Sequence, residues 1–185
     1  MDVLDISLIL SILSCSLVGG FIFTYAIVVM PGLSNLNDKD FLRAFQVTDA
    51  VIQNNQPLFM FTWIGSILSV LATILVSLVS IGFAEGWLIV LVAFVYLLGV
   101  QGITMAIHIP LNNHIQSIKI ENLNDEALAD ERLKFETKWN FFNYIRTSIA
   151  ISVSVLLLII LTIRQIKNLQ SSRKVFLNIC IKMIN

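Results

Sequence analysis

The chain has 185 residues, of which 57% are apolar and 13% are charged, and its mean hydropathy is +0.85. A soluble domain of this size must keep a polar exterior, so the composition excludes a soluble globular protein, a disordered chain and a disulfide scaffold. Twelve basic and twelve acidic side chains cancel, which leaves no field to attract nucleic acid. We therefore predict an integral membrane protein with the lipid bilayer as partner and no nucleic-acid partner.

Four uncharged apolar runs are long enough to cross a bilayer, which takes roughly 20 helical residues. They predict transmembrane helices near residues 6–30, 57–81, 86–110 and 140–163. Only residues 81–86 separate the second and third runs, which predicts a tight hairpin. The predicted fold class is all-α, an integral membrane antiparallel four-helix bundle over residues 1–163, followed by a basic tail at 164–185.

The connections outside the membrane carry helical patterns of their own. Asn124 is a candidate helix cap and Asp130 and Lys134 are a favourable pair four residues apart, so a helical connection should run on into the fourth span. Between the first two spans, apolar and charged residues recur at helical spacing, which predicts an amphipathic helix at the membrane interface. Its predicted apolar face is Phe41, Phe45, Thr48 and Ile52, opposite Lys39, Arg43 and Asp49.

Four spans place both termini on the same side of the membrane. The positive-inside rule weighs Lys and Arg near the ends of the spans. Arg164 and Lys167 flank the fourth span on the terminal side, whereas Lys134 and Lys138 flank its other end. We predict a multi-pass protein with both termini cytoplasmic.

Polar residues gather at one end of the predicted bundle. In the third span they recur at intervals of three or four residues, which keeps them on one face, and Pro110 frees a backbone carbonyl there. In an up-down bundle this end of the third span meets the end of the first and the starts of the second and fourth. The stripe of the third span is Gln101, Thr104, His108 and Asn112, and the residues that share this mouth are Tyr25, Gln56, His108, Asn112, Asn113, His114, Trp139, Asn143 and Arg146.

Each of these residues also has a simpler interpretation. Arg146 could snorkel to the headgroups, Trp139 and Trp63 could belong to an aromatic belt, and His108 could be a hydrogen-bonded packing residue. An inward Arg146 would need an acceptor, and the candidates are the side-chain oxygen of Asn112, the carbonyl of Ala106 and Asp49. His108 and His114 lie six residues apart, on different faces of a helix, so no metal site is predicted.

The polar motifs resemble those of the anthrone oxygenase-like family, small four-helix membrane proteins mostly catalogued as a domain of unknown function. The run Thr-Met-Ala-Ile-His-Ile-Pro-Leu-Asn-Asn at residues 104–113 closes the third span, and Trp139 and Arg146 open the fourth, seven residues apart. The resemblance covers most of residues 8–163. Leu111 replaces a threonine of the family pattern, and neither histidine belongs to it. The positions that match are Thr104, Pro110, Asn112, Asn113, Trp139 and Arg146.

The resemblance implies an activity, since named members of the family oxidise anthrones to anthraquinones without a metal or organic cofactor. An enzyme of this type would act on a planar apolar aromatic ketone or phenol with molecular oxygen, and would need no cofactor. Its catalytic candidates are Arg146, Asn143 and Asn112, which would stabilise an anion, and His108, which would act as base. Its substrate-binding candidates are Trp139, Tyr25, Asn113, Thr104 and Gln101.

A non-enzymatic hypothesis uses the same polar mouth. A small membrane protein could bind a lipid, an apolar ligand or a partner subunit there, with Arg146 holding a headgroup or a buried acceptor. The sequence is compatible with an oligomer under either hypothesis.

Overall fold

The structure is a computed structural model that describes the backbone of residues 2–184 and the side chains of residues 2–171, 173, 174 and 176. Over this part of the chain every regular element is helical and there is no strand, which confirms the all-α class. The helices are α1 (Val3–Leu33), α2 (Asp38–Gln53), α3 (residues 57–81), α4 (residues 83–117) and α5 (Asp125–Ile184). Of these, α1, α3, α4 and α5 form the bundle.

A single glycine separates α3 from α4. Gly82 has φ 73° and ψ 171°, a conformation available essentially only to glycine, while its neighbours stay helical. Ser66 of α3 accepts hydrogen bonds from Tyr96 (2.9 Å) and Gln101 (3.1 Å) of α4, so the chain doubles back at this point. The predicted hairpin is therefore present, and it is tighter than the segment 81–86.

Neighbouring helices of the bundle pair in opposite senses. Between α1 and α3, Ser11 bonds Thr73 at 2.9 Å and Ser14 bonds Ser69 at 2.7 Å, so residue numbers fall in one helix as they rise in the other. The same reversal relates α5 to α1 and to α4, which is the pairing of an antiparallel bundle. It is seen in the contacts Asp5–Arg164, Ile22–Asn143, Thr104–Arg146 and Asn112–Trp139.

The bundle exposes large apolar side chains on its outer faces, where water would be unfavourable and lipid is not. Leu58 and Val79 of α3 are 74% and 87% exposed. Three helical stretches are long and apolar enough to cross a membrane, and the second of them contains α3, Gly82 and α4. They are Val3–Leu33, Pro57–Ser117 and Asp125–Ser171. The chain is an integral membrane protein, and the exact limits and orientation of its spans stay predictions.

Helix α2 packs against the end of the bundle, whereas the sequence predicted only that it lies at the membrane interface. It buries Phe41, Leu42 and Phe45 against Phe135 of α5. The faces predicted for α2 were partly wrong, since Thr48 is exposed and Asp49 is buried. The reason is that α2 is rotated to place residues 41, 45 and 49 inward. Side-chain amides of α2 and α4 donate hydrogen bonds to the buried carboxylate of Asp49 and so compensate its burial.

Helix α5 is continuous from Asp125 to Ile184, which confirms that the helical connection runs into the fourth span. Asn124 caps it by accepting from the amide of Ala127 at 2.9 Å, and Lys134 pairs with Asp130, both as predicted. Arg164, the first residue of the predicted tail, donates to Asp2 (3.0 Å) and Asp5 (3.4 Å) of α1. Lys182, near the end of that tail, lies outside the described side chains.

Candidate active site

A cavity of about 540 Å³ lies where α2 meets the polar end of the bundle. This volume is within the range of small-molecule sites, which is roughly 300–1,000 Å³. Its walls are mostly apolar, with polar groups contributed by α1, α2, α4 and α5. Eight of the nine predicted site residues line it, namely Tyr25, Gln101, Thr104, His108, Asn112, Asn113, Trp139 and Arg146.

The helices widen to π-helical turns where they face the cavity. Tyr25–Val29 in α1, and Leu97–Gly102 and Thr104–His108 in α4, form hydrogen bonds over five residues instead of four. Pro31 and Pro110 follow these segments and lack the amide donor that a regular turn would use, which favours such local rearrangement. The widened turns carry four of the predicted site residues, Tyr25, Gln101, Thr104 and His108.

Arg146 faces the interior of the bundle and is only 7% exposed. Its Nε donates to Oδ1 of Asn143 at 2.9 Å and its NH1 donates to Oγ1 of Thr104 at 3.0 Å. The guanidinium carbon lies 5.5 Å from the ring centroid of Trp139. The snorkelling interpretation is therefore wrong. No carboxylate of the described residues forms an ion pair with Arg146, so its positive charge is held by neutral groups alone.

Asn143 supports Arg146 from outside the cavity. It does not line the cavity, unlike the other predicted catalytic residues. Its Nδ2 donates to the carbonyl of Ile22 in α1 at 3.2 Å while its Oδ1 accepts from Arg146. This amide therefore fixes the guanidinium relative to α1. The acceptors of Arg146 are thus Asn143 and Thr104, instead of the three candidates that the sequence suggested.

Asp49 lines the cavity in a role that the sequence did not predict, since it was named only as a candidate acceptor for Arg146. Its Oδ1 accepts from Asn112 at 2.7 Å, and its Oδ2 accepts from Gln53 at 3.0 Å and Gln116 at 3.1 Å. Asn112 in turn accepts from the indole nitrogen of Trp139 at 3.0 Å. The carboxylate therefore determines which way the amide of Asn112 points. The available signal was the spacing of Phe41, Phe45 and Asp49, which puts all three on one helical stripe.

Trp139 is the aromatic centre of the site. It is 3% exposed, and its ring lies 5.1 Å from that of His108 and 5.7 Å from that of Tyr25. The belt interpretation of this residue is therefore wrong. Trp63 also lines the cavity and donates to Gln101, whose own amide donates to Ser66 and Tyr96. Gln101 thus belongs as much to the α3–α4 contact as to the cavity.

His108 is the histidine that faces the cavity. It is 2% exposed, and among the described residues neither ring nitrogen makes a side-chain hydrogen bond, while the backbone at Ile103 and Trp139 lies close to the ring. Buried polar groups are normally hydrogen-bonded, so this imidazole is the candidate among the cavity residues to exchange a proton with a bound molecule. His114, in contrast, is on the surface and contacts Glu131 at 2.7 Å. Within the described part of the chain, no three His, Cys, Asp or Glu side chains come together to hold a metal ion.

Comparison with known families assigns the chain to one of them. The anthrone oxygenase family matches residues 58–156, more than half of the chain, which comprise α3, α4 and the beginning of α5. The chain belongs to this family and is a membrane protein of it. No curated protein matches the chain, and no solved structure does. The matched segment contains Thr104, Asn112, Trp139 and Arg146, whereas Tyr25 and Asp49 come from helices that precede it.

Proposed function

We propose that the protein is a membrane-embedded, cofactor-independent oxygenase that acts on a planar apolar aromatic ketone or phenol of the anthrone type. One observation carries the proposal: a guanidinium without a carboxylate and an imidazole whose ring nitrogens make no side-chain hydrogen bond among the described residues face the same apolar cavity, and both lie close to the ring of Trp139. A base and a cation that line one cavity suit the removal of a proton beside a carbonyl and the stabilisation of the resulting oxyanion.

The reaction needs only the substrate, molecular oxygen and these groups. His108 takes one proton from the ring methylene, and Arg146 stabilises the negative charge that develops on the carbonyl oxygen. The enolate gives an electron to oxygen, and the two radicals combine into a carbon–oxygen bond. The peroxide anion takes back the proton held by His108, and the resulting hydroperoxide loses water as its O–O bond breaks and the second methylene proton leaves. One oxygen atom becomes the new carbonyl and the other leaves as water.

The other cavity residues position the substrate in this proposal. Trp139 and Tyr25 offer aromatic faces for a flat ring system, and stacked or edge-to-face contacts between rings contribute about 0.5–1.5 kcal/mol each. Thr104 and Asn143 hold the guanidinium, while Asn112 fixes the indole of Trp139. Asn113 and Gln101 complete the polar part of the wall.

The decisive test replaces each histidine separately in the purified protein in lipid vesicles. We expect His108→Asn to lower the rate of anthraquinone formation from anthrone by about 10²–10⁴-fold, the usual contribution of a general base. His114→Asn is the matched control and should retain the rate, because His114 contacts only surface groups. Oxygen uptake should match quinone formation, and both should stop without oxygen. Equal rates for the two variants would refute the role of His108.

A second candidate function shares one observation with the first. A buried cation without a carboxylate also suits an anionic ligand, such as a lipid headgroup, that is bound and not converted. The binding function predicts saturable binding of anthrone or of an anionic lipid, and no quinone formation under air. Arg146→Leu should abolish the binding.

A further inference from the structure

The cavity has two rims, which are closed by different chemistry. At the polar rim, Gln53 of α2 donates to Asn113 of α4 and to Asp49, both at 3.0 Å, so hydrogen bonds join the two helices there. At the apolar rim, between α1 and α3, Phe21 and Phe59 meet with ring centroids 5.0 Å apart. Opening the polar rim would break hydrogen bonds around a buried carboxylate, whereas opening the apolar rim would separate apolar rings without breaking a hydrogen bond.

The apolar rim faces the outside of the bundle. Leu17 of α1 and Leu58 of α3 line the cavity, yet they are 62% and 74% exposed on the outer surface. Helices α1 and α3 are bonded to each other through Ser11 and Ser14, farther from the cavity. Between these serines and the polar end, no side-chain hydrogen bond of the described residues joins α1 to α3. No such hydrogen bond therefore has to break for the two helices to part at this end.

We propose that the ligand enters sideways from the bilayer, between α1 and α3, and that Phe21 and Phe59 form the gate. The identity of the ligand rests on the proposed function, but the route rests on the two rims. A flat apolar ring partitions into the acyl chains, so a lateral gate meets it at its highest concentration. Such a gate also keeps the hydrogen-bonded polar rim closed against bulk water while the ligand passes.

The test closes each rim with a reversible disulfide bridge between two introduced cysteines. The chain's own cysteines are first removed by Cys15→Ser and Cys180→Ser. One variant carries Phe21→Cys and Phe59→Cys, and the matched variant carries Gln53→Cys and Asn113→Cys. Each is compared only with its own reduced form. The probe is anthraquinone delivered from phosphatidylcholine vesicles, and the signal is quenching of tryptophan fluorescence. We expect the bridge at the apolar rim to slow association by about tenfold or more, with recovery on reduction. A block only by the bridge at the polar rim would overturn the proposal.

Two further measurements separate this proposal from the proposed function. Anthraquinone that binds with gated kinetics, together with no turnover of anthrone, would refute the oxygenase and support the gate. If anthraquinone does not bind, phosphatidylcholine brominated on its acyl chains serves as the probe. In a Trp87→Phe chain the remaining tryptophans, Trp63 and Trp139, both line the cavity. Bridging the apolar rim should reduce their quenching by the lipid, and unchanged quenching would overturn the gate.

Discussion

At the scale of single residues, the buried guanidinium of Arg146 is the feature that most needs explanation. Removing a charge from water is costly, and the protein usually compensates with an opposite charge. Here Asn143 and Thr104 provide neutral oxygens and Trp139 provides the face of a ring. The planar guanidinium reaches both oxygens from one stem, which the ammonium of a lysine cannot do in the same way.

This geometry predicts energetic coupling between Thr104 and Arg146. In a double-mutant cycle with Thr104→Val and Arg146→Lys, we expect a coupling free energy of about 0.5–3 kcal/mol, because the two side chains share one charged hydrogen bond. The control cycle combines Arg146→Lys with Thr73→Val, whose hydroxyl bonds Ser11 in a separate part of the bundle. Unfolding free energies in mild detergent measure both cycles. Additive effects in the first cycle would contradict the contact.

At the scale of helices, the most consequential feature is the reversal at Gly82. The residue makes two antiparallel helices out of one apolar stretch, and so brings Ser66 of α3 against Tyr96 and Gln101 of α4. Any other residue type would need a φ and ψ that its Cβ atom disfavours. The placement of Gln101 and the following π-helical turns therefore depends on a glycine about 20 residues earlier in the chain.

We expect Gly82→Ala to lower the free energy of unfolding by about 1–3 kcal/mol, the usual cost of forcing a side chain into this backbone conformation. Gly65→Ala is the control, since Gly65 lies in a regular turn of α3 and a Cβ added there would meet no heavy atom within 4 Å. Thermal unfolding in mild detergent compares the variants. Equal melting temperatures for the two alanine variants would show that a side chain at position 82 causes no backbone strain.

At the scale of the whole molecule, α5 ties the bundle together along its length. Near the cavity Asn143 binds the backbone of α1 at Ile22, and near the opposite end Arg164 binds Asp2 and Asp5 of the same helix. Asp5 is 1% exposed, so Arg164 compensates a carboxylate that has little access to water. Residues 169–171, beyond this contact, are exposed on α5.

This arrangement predicts two different results for changes near the end of the bundle. Truncation after residue 168 should leave the free energy of unfolding within about 0.5 kcal/mol of the full chain, as for surface changes in general. Arg164→Ala in the truncated chain should cost about 1–3 kcal/mol, because it leaves Asp5 without its cation. Melting curves of the three proteins give the comparison. A large loss on truncation alone would show that the last part of α5 also packs on the bundle.

The sequence alone determined the membrane class, the four-helix architecture, the family and most of the candidate site. Hydropathy and helical periodicity are properties of neighbouring residues, so they suffice to place Thr104, His108 and Asn112 on one face of a helix, and Trp139 and Arg146 on one face of the next. The up-down order of the four spans then predicted that these two faces meet at one end of the bundle. All five of these residues line the cavity.

Only the tertiary structure decided which partners these residues have. Arg146 binds Thr104, 42 residues away, and Asn112 binds Asp49, 63 residues away. Such contacts depend on how far each helix is rotated and translated against its neighbours, and no pattern within one helix contains that information. For the same reason Asp49 seemed to belong to an exposed face, and the sequence could not tell a buried Trp139 from a belt residue. Local periodicity defines a face, and packing against the other helices decides what that face meets.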